Sequence, residues 1–197
     1  KTSKVMKRIA ILASGEGTNA ENIIRYFSER KTAKVVVVIT NKAQAGVLNR
    51  ADKLGIPTEF IPAQDFTEGR ALEVLHRYQT DFIALAGFLL RVPDDILHDY
   101  PNKIVNIHPA LLPKFGGKGM YGSRVHQAVI ASHEKESGIT IHYINERYDE
   151  GNTIFQATCP VLPTDTPDTL AIRVHQLEYE YFPRVIEATI LGKNLSI

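Results

Sequence analysis

KVVVVIT, residues 34–40, decides the architecture. Four consecutive valines offer water no polar side chain on either side of a strand. A strand that apolar is stable where helices cover both of its faces, as in a parallel sheet. The segments around it repeat the theme. RIAILA (8–13) is a short apolar strand ended by the turn-prone SGEG, and ENIIRYF (21–27) has helical spacing, with Ile23, Ile24 and Phe27 on one side. AGVLNRADKLGI (45–56) reads as a helix closed at Gly55, and TEFI (58–61) as a short strand. ALEVLHRY (71–78) is helical, DFIALA (81–86) a strand, DDILHDY (94–100) a short helix and IVNIH (104–108) a strand. This alternation predicts an α/β fold with a doubly wound, mostly parallel sheet and right-handed crossovers.

The second half changes character. SRVHQAVIAS (123–132) has helical spacing, whereas GITIHYI (138–144) and TIFQATCPV (153–161) alternate like strands across the polar NERYDEGN. An antiparallel pair at the sheet edge is expected. After PTDTPDT, Leu170, Val174, Leu177, Tyr181 and Val185 recur at helical spacing and Pro167 suits a first turn, so a long C-terminal helix follows. No repeat or linker interrupts the chain, and one domain over residues 6–197 is expected. Met6 opens MKRIAIL, so residues 1–5 are read as a leader outside that domain.

Composition narrows the function classes. The 197 residues carry a net charge of +1, which gives bulk electrostatics no hold on nucleic acid or an anionic membrane. No apolar run is long enough to span a bilayer. The one cysteine, Cys159, forms no internal disulfide, which fits a reducing, cytoplasmic setting. His76, His98, His133 and His142 lack paired ligand spacing, so no metal site is expected.

SGEGTNA (14–20) lies between a strand and a helix, where backbone N–H groups hold phosphates. It formally fits G-x-G-x-x-A, but a dinucleotide site needs a carboxylate ending the second strand. That strand ends in Thr40 and Asn41. A single phosphate or a plain tight turn are the two readings left.

In IVNIH, Asn106 and His108 stand two apart and therefore project from one face, at the strand end where open parallel sheets bind ligands. Pro109 stops the strand there. An amide can donate to an oxygen gaining negative charge, and an imidazole can exchange protons beside it. Asp149, in RYDEG, is a candidate carboxylate partner that would favour the imidazolium. A capped strand end and ordinary turn chemistry are the plainer readings of the same residues.

LASGEGTN, LAGFLLRVP, NIHPALLPKF and HYINERYDEGNTIFQ together resemble, in order and over nearly the whole chain from Met6, the phosphoribosylglycinamide formyltransferases of the formyltransferase superfamily. N-I-H-P-x-L-L-P with a downstream D-x-G marks the superfamily. The glycine loop and the length of the chain point to the ribonucleotide enzymes rather than to relatives with an additional domain.

The resemblance implies formyl transfer from 10-formyltetrahydrofolate to the amine of glycinamide ribonucleotide in purine biosynthesis, with no metal and no covalent enzyme intermediate. It implies that Asn106 donates to the formyl oxygen, that His108 is the general acid and that Asp149 assists it. Gly17, Thr18 and Asn19 would hold the phosphate, and Glu178 would contact the ribonucleotide. Leu89, Leu90, Arg91 and Val92 would meet the folate pterin ring, with Asn106 also facing the folate and Arg70 reaching its glutamate tail. The glycine-rich segment 114–126 is expected to cover the site with His126 near the substrate, and His175 falls near the phosphate. A monomer or homodimer acting on small molecules is the expected assembly. A non-catalytic nucleotide-binding module that uses SGEGTN is the alternative from another class.

Overall fold

The structure, a computed structural model, describes residues 5–146 and 152–195. Its sheet has seven strands: β1 (Lys7–Leu12), β2 (Ala33–Thr40), β3 (Thr58–Phe60), β4 (Phe82–Leu85), β5 (Ile104–His108), β6 (Glu136–Tyr143) and β7 (Thr153–Pro160). Their order is β3-β2-β1-β4-β5-β6-β7. The first five run parallel, while β6 and β7 join antiparallel at one edge. The expected doubly wound sheet with an antiparallel edge pair is therefore present.

The valine run lies in the interior, and Val35 to Ile39 are at most 4% exposed. Alternation along β1 sends Ile9 and Ile11 to one apolar layer and Ala10 and Leu12 to the other. The first layer is closed by α1 (Thr18–Arg30), α2 (Gly46–Lys53), α6 (Ser123–Ala131) and α7 (Pro167–Leu191). The second is closed by α3 (Ala63–Thr67), α4 (Arg70–Arg77) and α5 (Asp94–Asp99). On α1 the apolar stripe Ile23, Ile24 and Phe27 is buried, each side chain contributing about 1.5–3 kcal/mol by leaving water. The short α3 was not anticipated. Its single buried anchor, Phe66, packs on Phe88, and five residues with one buried side chain leave no periodicity to read.

α7 starts on Thr166, whose hydroxyl accepts from Thr169 N–H, with Pro167 in the first turn and left-handed Gly192 closing the end. Pro183 interrupts it. Proline has no N–H to give the carbonyl four residues back, that of Tyr179. Asn22 Nδ2 on α1 donates to that carbonyl at 2.9 Å, so the interruption becomes a tie between two helices. Among the described residues no helix is long and apolar enough to cross a membrane.

Candidate active site

β2 and β3 extend the sheet from one side of β1, and β4 and β5 from the other, so the winding reverses between β1 and β4. A crevice opens beyond the carboxyl ends of strands at such a point. One buried hydroxyl organises its floor. Ser14, just after β1, donates through Oγ to Asn41 Oδ1 at 2.6 Å and accepts from Leu89 N–H at 3.0 Å. Its own N–H donates to Gly87 O at 3.1 Å. The loops after β1, β2 and β4 are thereby pinned together, and Asn41, where a dinucleotide site needs its carboxylate, is spent on this internal bond.

Beyond Ser14 the chain turns into α1 through Gly17, which caps the helix at φ 81°. A Cβ there would stand 2.5 Å from the Val47 side chain, so glycine is required twice over. The first N–H groups of α1 have no intrahelical acceptor and lie at the positive end of the helix dipole. Gly17, Thr18 and Asn19 lie at that start, where backbone N–H groups of a helix can meet an anion. The Asn19 side chain does something else: Nδ2 donates to Glu178 Oε2 at 2.5 Å, across 159 residues of sequence. Glu178 is 4% exposed and also meets His175 Nδ1 at 3.2 Å. That bond, the largest influence on His175, pushes its pKa up, and the imidazole remains half-exposed at the rim.

Asn106 and His108 share one face of β5, with His142 and Thr140 of β6 directly opposite them. His142 Nδ1 lies 3.1 Å from the Tyr143 carbonyl and its Nε2 lies 3.3 Å from Asn106 Nδ2. A carbonyl only accepts, so Nδ1 carries the proton and Nε2 accepts from the amide. One amide hydrogen of Asn106 is thus oriented by His142 and the second can serve a ligand oxygen. His108 Nε2 donates to Phe115 O at 2.7 Å by the same logic, which makes Nδ1 the basic nitrogen of the neutral ring. Phe115 presents that carbonyl from a left-handed backbone at φ 58°. The loop after β5 is held in turn by Thr140, whose Oγ1 donates to Ala110 O at 2.7 Å and accepts from Leu112 N–H at 3.0 Å and Gln156 Nε2 at 2.9 Å.

His126, the fourth residue of α6, is 3% exposed. Burial pushes its pKa down, with His175 and His108 adding to that and Glu178 opposing it. His126 therefore stands within electrostatic range of both the strand-end imidazole and the Glu178 pair. The glycine loop, α6, α7 and the end of β5 form one polar constellation.

The other proposed positions flank it. Val92 is buried, Leu89 is 56% exposed, and Arg91 Nη2 donates to Glu146 O at 3.4 Å, joining the β4 loop to the end of β6. Beside that join a cleft of about 340 Å³ is lined by Leu97, His98, Ile144 and Asn145 among others, within the roughly 300–1,000 Å³ typical of small-molecule sites. A second cleft of about 530 Å³ runs from Ser14 and Gly15 to Lys42 and Gly46. Arg70 opens α4, in the layer opposite α7, and pairs with Asp65 at 3.0 Å. Asp149 lies outside the described residues. Ser14, Thr140 and Gln156 were not singled out from the sequence, and His142 was considered there only as a metal ligand and set aside. The local signal was their position, just after β1 or on the antiparallel edge strands β6 and β7.

The chain matches the family described as Formyl transferase over residues 7–186. It is 39% identical over 189 residues to the chloroplastic phosphoribosylglycinamide formyltransferase of Arabidopsis thaliana, covering 92% of this chain and 65% of that protein. With the Vigna unguiculata protein of the same name it spans 60% of the relative's length. The phosphoribosylglycinamide formyltransferase of Bacillus subtilis is 35% identical over 195 residues, covering 96% of this chain and 97% of that one. Among solved structures, a glycinamide ribonucleotide transformylase 1 from Symbiobacterium toebii superposes with a TM-score of 0.88 at 33% identity, over 95% of this chain and 89% of the other.

Proposed function

The chain belongs to the formyl transferase family, and on that premise we propose that it transfers a formyl group from 10-formyltetrahydrofolate to the amine of glycinamide ribonucleotide, a step of purine biosynthesis. One observation supports the reading: the start of α1 is tied to Glu178 through Asn19, and His126 stands within electrostatic range of both Glu178 and the strand-end His108 beside Asn106. A substrate with one phosphate and one nucleophilic amine needs those two ends and little else.

The folate supplies the activated formyl carbon; the chain supplies position and charge. The Asn106 amide hydrogen not held by His142 points at a carbonyl oxygen that gains negative charge as the amine adds. His108, with Nε2 occupied by Phe115 O, exchanges protons through Nδ1 and returns one to the departing folate nitrogen. Asp149 enters through its chemistry alone, as the carboxylate that favours the imidazolium. The 340 Å³ cleft, with apolar Leu97 and Ile144 walls beside the Leu89–Val92 loop, suits a flat heteroaromatic ring bound through backbone groups. Arg70 lies beyond that loop and serves the glutamate tail if its Asp65 pair opens. The setting is the cytoplasm, where buried Cys159 stays reduced, and the working form is a monomer or homodimer.

Formyl transfer measured with purified glycinamide ribonucleotide and 10-formyltetrahydrofolate tests the proposal. Product formation is expected from the parent protein, with loss of turnover but retained ribonucleotide binding in Asn106→Ala. No product above background with both substrates saturating would overturn it.

A further inference from the structure

His108, Thr140 and Gln156 stand in one row across β5, β6 and β7, each directly opposite the next. Residues paired in that way present their side chains on the same face of a sheet. The loop after β5 arches back over the row. Thr140 is fully buried, and a hydroxyl has one proton to give and two lone pairs to fill. All are used: Oγ1 donates to Ala110 O and accepts from Leu112 N–H and Gln156 Nε2. Gln156 Nε2 also donates to Leu112 O at 3.0 Å, so the two side chains grip both backbone polar groups of Leu112. Gly138, two positions before Thr140, shares its face. A Cβ there would collide with the Ala157 carbonyl and stand 2.9 Å from Leu111 Cδ2, so the missing side chain makes room for the loop.

The far end of the arch returns to the row. Phe115 O accepts from His108 Nε2 at 2.7 Å. Phe115 holds a left-handed backbone, which a residue with a side chain adopts when its surroundings impose it. We infer that Thr140 and Gln156 are positioning residues for His108: by holding residues 110–112 they place the Phe115 carbonyl, which keeps Nδ1 as the basic nitrogen of the neutral ring. Neither side chain acts on the reacting atoms; both act through the loop. The wrong tautomer presents an N–H where a base is needed, so the share of the right one scales the rate. Pairing of β7 with β6 is made by backbone and leaves the Gln156 side chain free for this task. Both of its amide hydrogens go to the loop and to the hydroxyl that holds it. This rests on the reading of His108 as the proton-exchanging group and adds the device that sets its state.

Nitrogen-15 NMR of the histidine rings tests this apart from turnover, because protonated and bare ring nitrogens differ widely in chemical shift. The His108 signals are assigned by their loss in His108→Asn. In mildly alkaline buffer the parent ring is expected to carry its proton on Nε2. Thr140→Val and Gln156→Leu should each turn that single form into a mixture of tautomers. They should lower kcat about three- to tenfold, with KM for the ribonucleotide within about twofold of the parent. Thr140→Ser, which keeps the hydroxyl, should restore the parent pattern. Gln156 is exposed, so Gln156→Leu keeps the question open to test even if Thr140→Val does not fold. Asn22→Ala, which loosens α1 against α7, should leave the tautomer unaltered and so separates aim from general stability. A single Nε2-protonated form in Gln156→Leu and in folded Thr140→Val would overturn the inference, as would a parent ring protonated on Nδ1. A tautomer shift in a protein that forms no product would uphold the positioning of His108 while bringing down the formyl-transfer reading.

Discussion

Asn106 and His142 face each other across the antiparallel β5–β6 pair, with the amide Nδ2 3.3 Å from the imidazole Nε2. Because the Tyr143 carbonyl holds the proton on Nδ1, His142 acts as a fixed acceptor that aims the amide. Replacing His142 by Ala frees that rotor. We expect kcat to fall roughly ten- to a hundredfold, an increase of about 1.4–2.7 kcal/mol in barrier, with KM for the ribonucleotide changed less than threefold. His142→Gln, which offers an acceptor at similar reach, should recover part of kcat. Equal losses in kcat and ribonucleotide affinity for both variants would show that His142 serves folding alone.

The two glycines of the loop should behave differently. At Gly15 a Cβ meets nothing within 4 Å, and Gly15→Ala is expected to shift stability by no more than about 0.5 kcal/mol. At Gly17 the left-handed backbone and the Val47 contact act together. Gly17→Ala should cost about 1–3 kcal/mol and weaken phosphate binding at least tenfold. Urea unfolding with phosphate titration compares the pair.

Ser14 holds three loops with one hydroxyl. Ser14→Ala leaves the Asn41 carbonyl oxygen and the Leu89 N–H without their partner, at a cost of about 1–3 kcal/mol. The β4 loop should loosen, and KM for the folate should rise more than KM for the ribonucleotide. Hydrogen exchange at Leu89, faster in the variant, would locate the effect.

Asn22 compensates for Pro183. Asn22→Ala leaves the Tyr179 carbonyl without its Asn22 donor, and about 1 kcal/mol of stability should be lost. The carbonyl lies one residue beyond Glu178, so ribonucleotide affinity should fall slightly as well. Thermal melting and calorimetry measure the two effects separately.

Asp165 is a clear source of acid sensitivity away from the crevice. Asp165, with a side chain 3% exposed, accepts from Arg173 at 2.7 and 3.0 Å and from Leu162 N–H, and the Arg173 bonds hold its pKa well below the usual carboxylate range. A depressed carboxylate contributes stability that is complete above its unfolded pKa, near 3.9, and is lost as pH falls toward the folded value. Asp165→Asn should therefore lower stability by about 1–3 kcal/mol at pH 7 and flatten the decline below pH 4. A variant whose acid limb matched the parent's would assign the decline to other groups.

Along the chain, residue types alone determined the order of strands and helices, the buried valine strand, the antiparallel edge and the shared face of Asn106 and His108. Each of these follows from a local period: two residues in a strand, 3.6 in a helix. α3 escaped because five residues hold too little of any period. What only the tertiary structure decided is how those groups are aimed. Nothing near Asn19 in sequence signals that its amide will be held by Glu178, and nothing in NIH shows that His142 and Phe115 will choose which atoms of Asn106 and His108 are left for chemistry. A hydrogen bond depends on where its partner arrives, and these partners arrive through packing on one shared sheet, after the local rules have been spent.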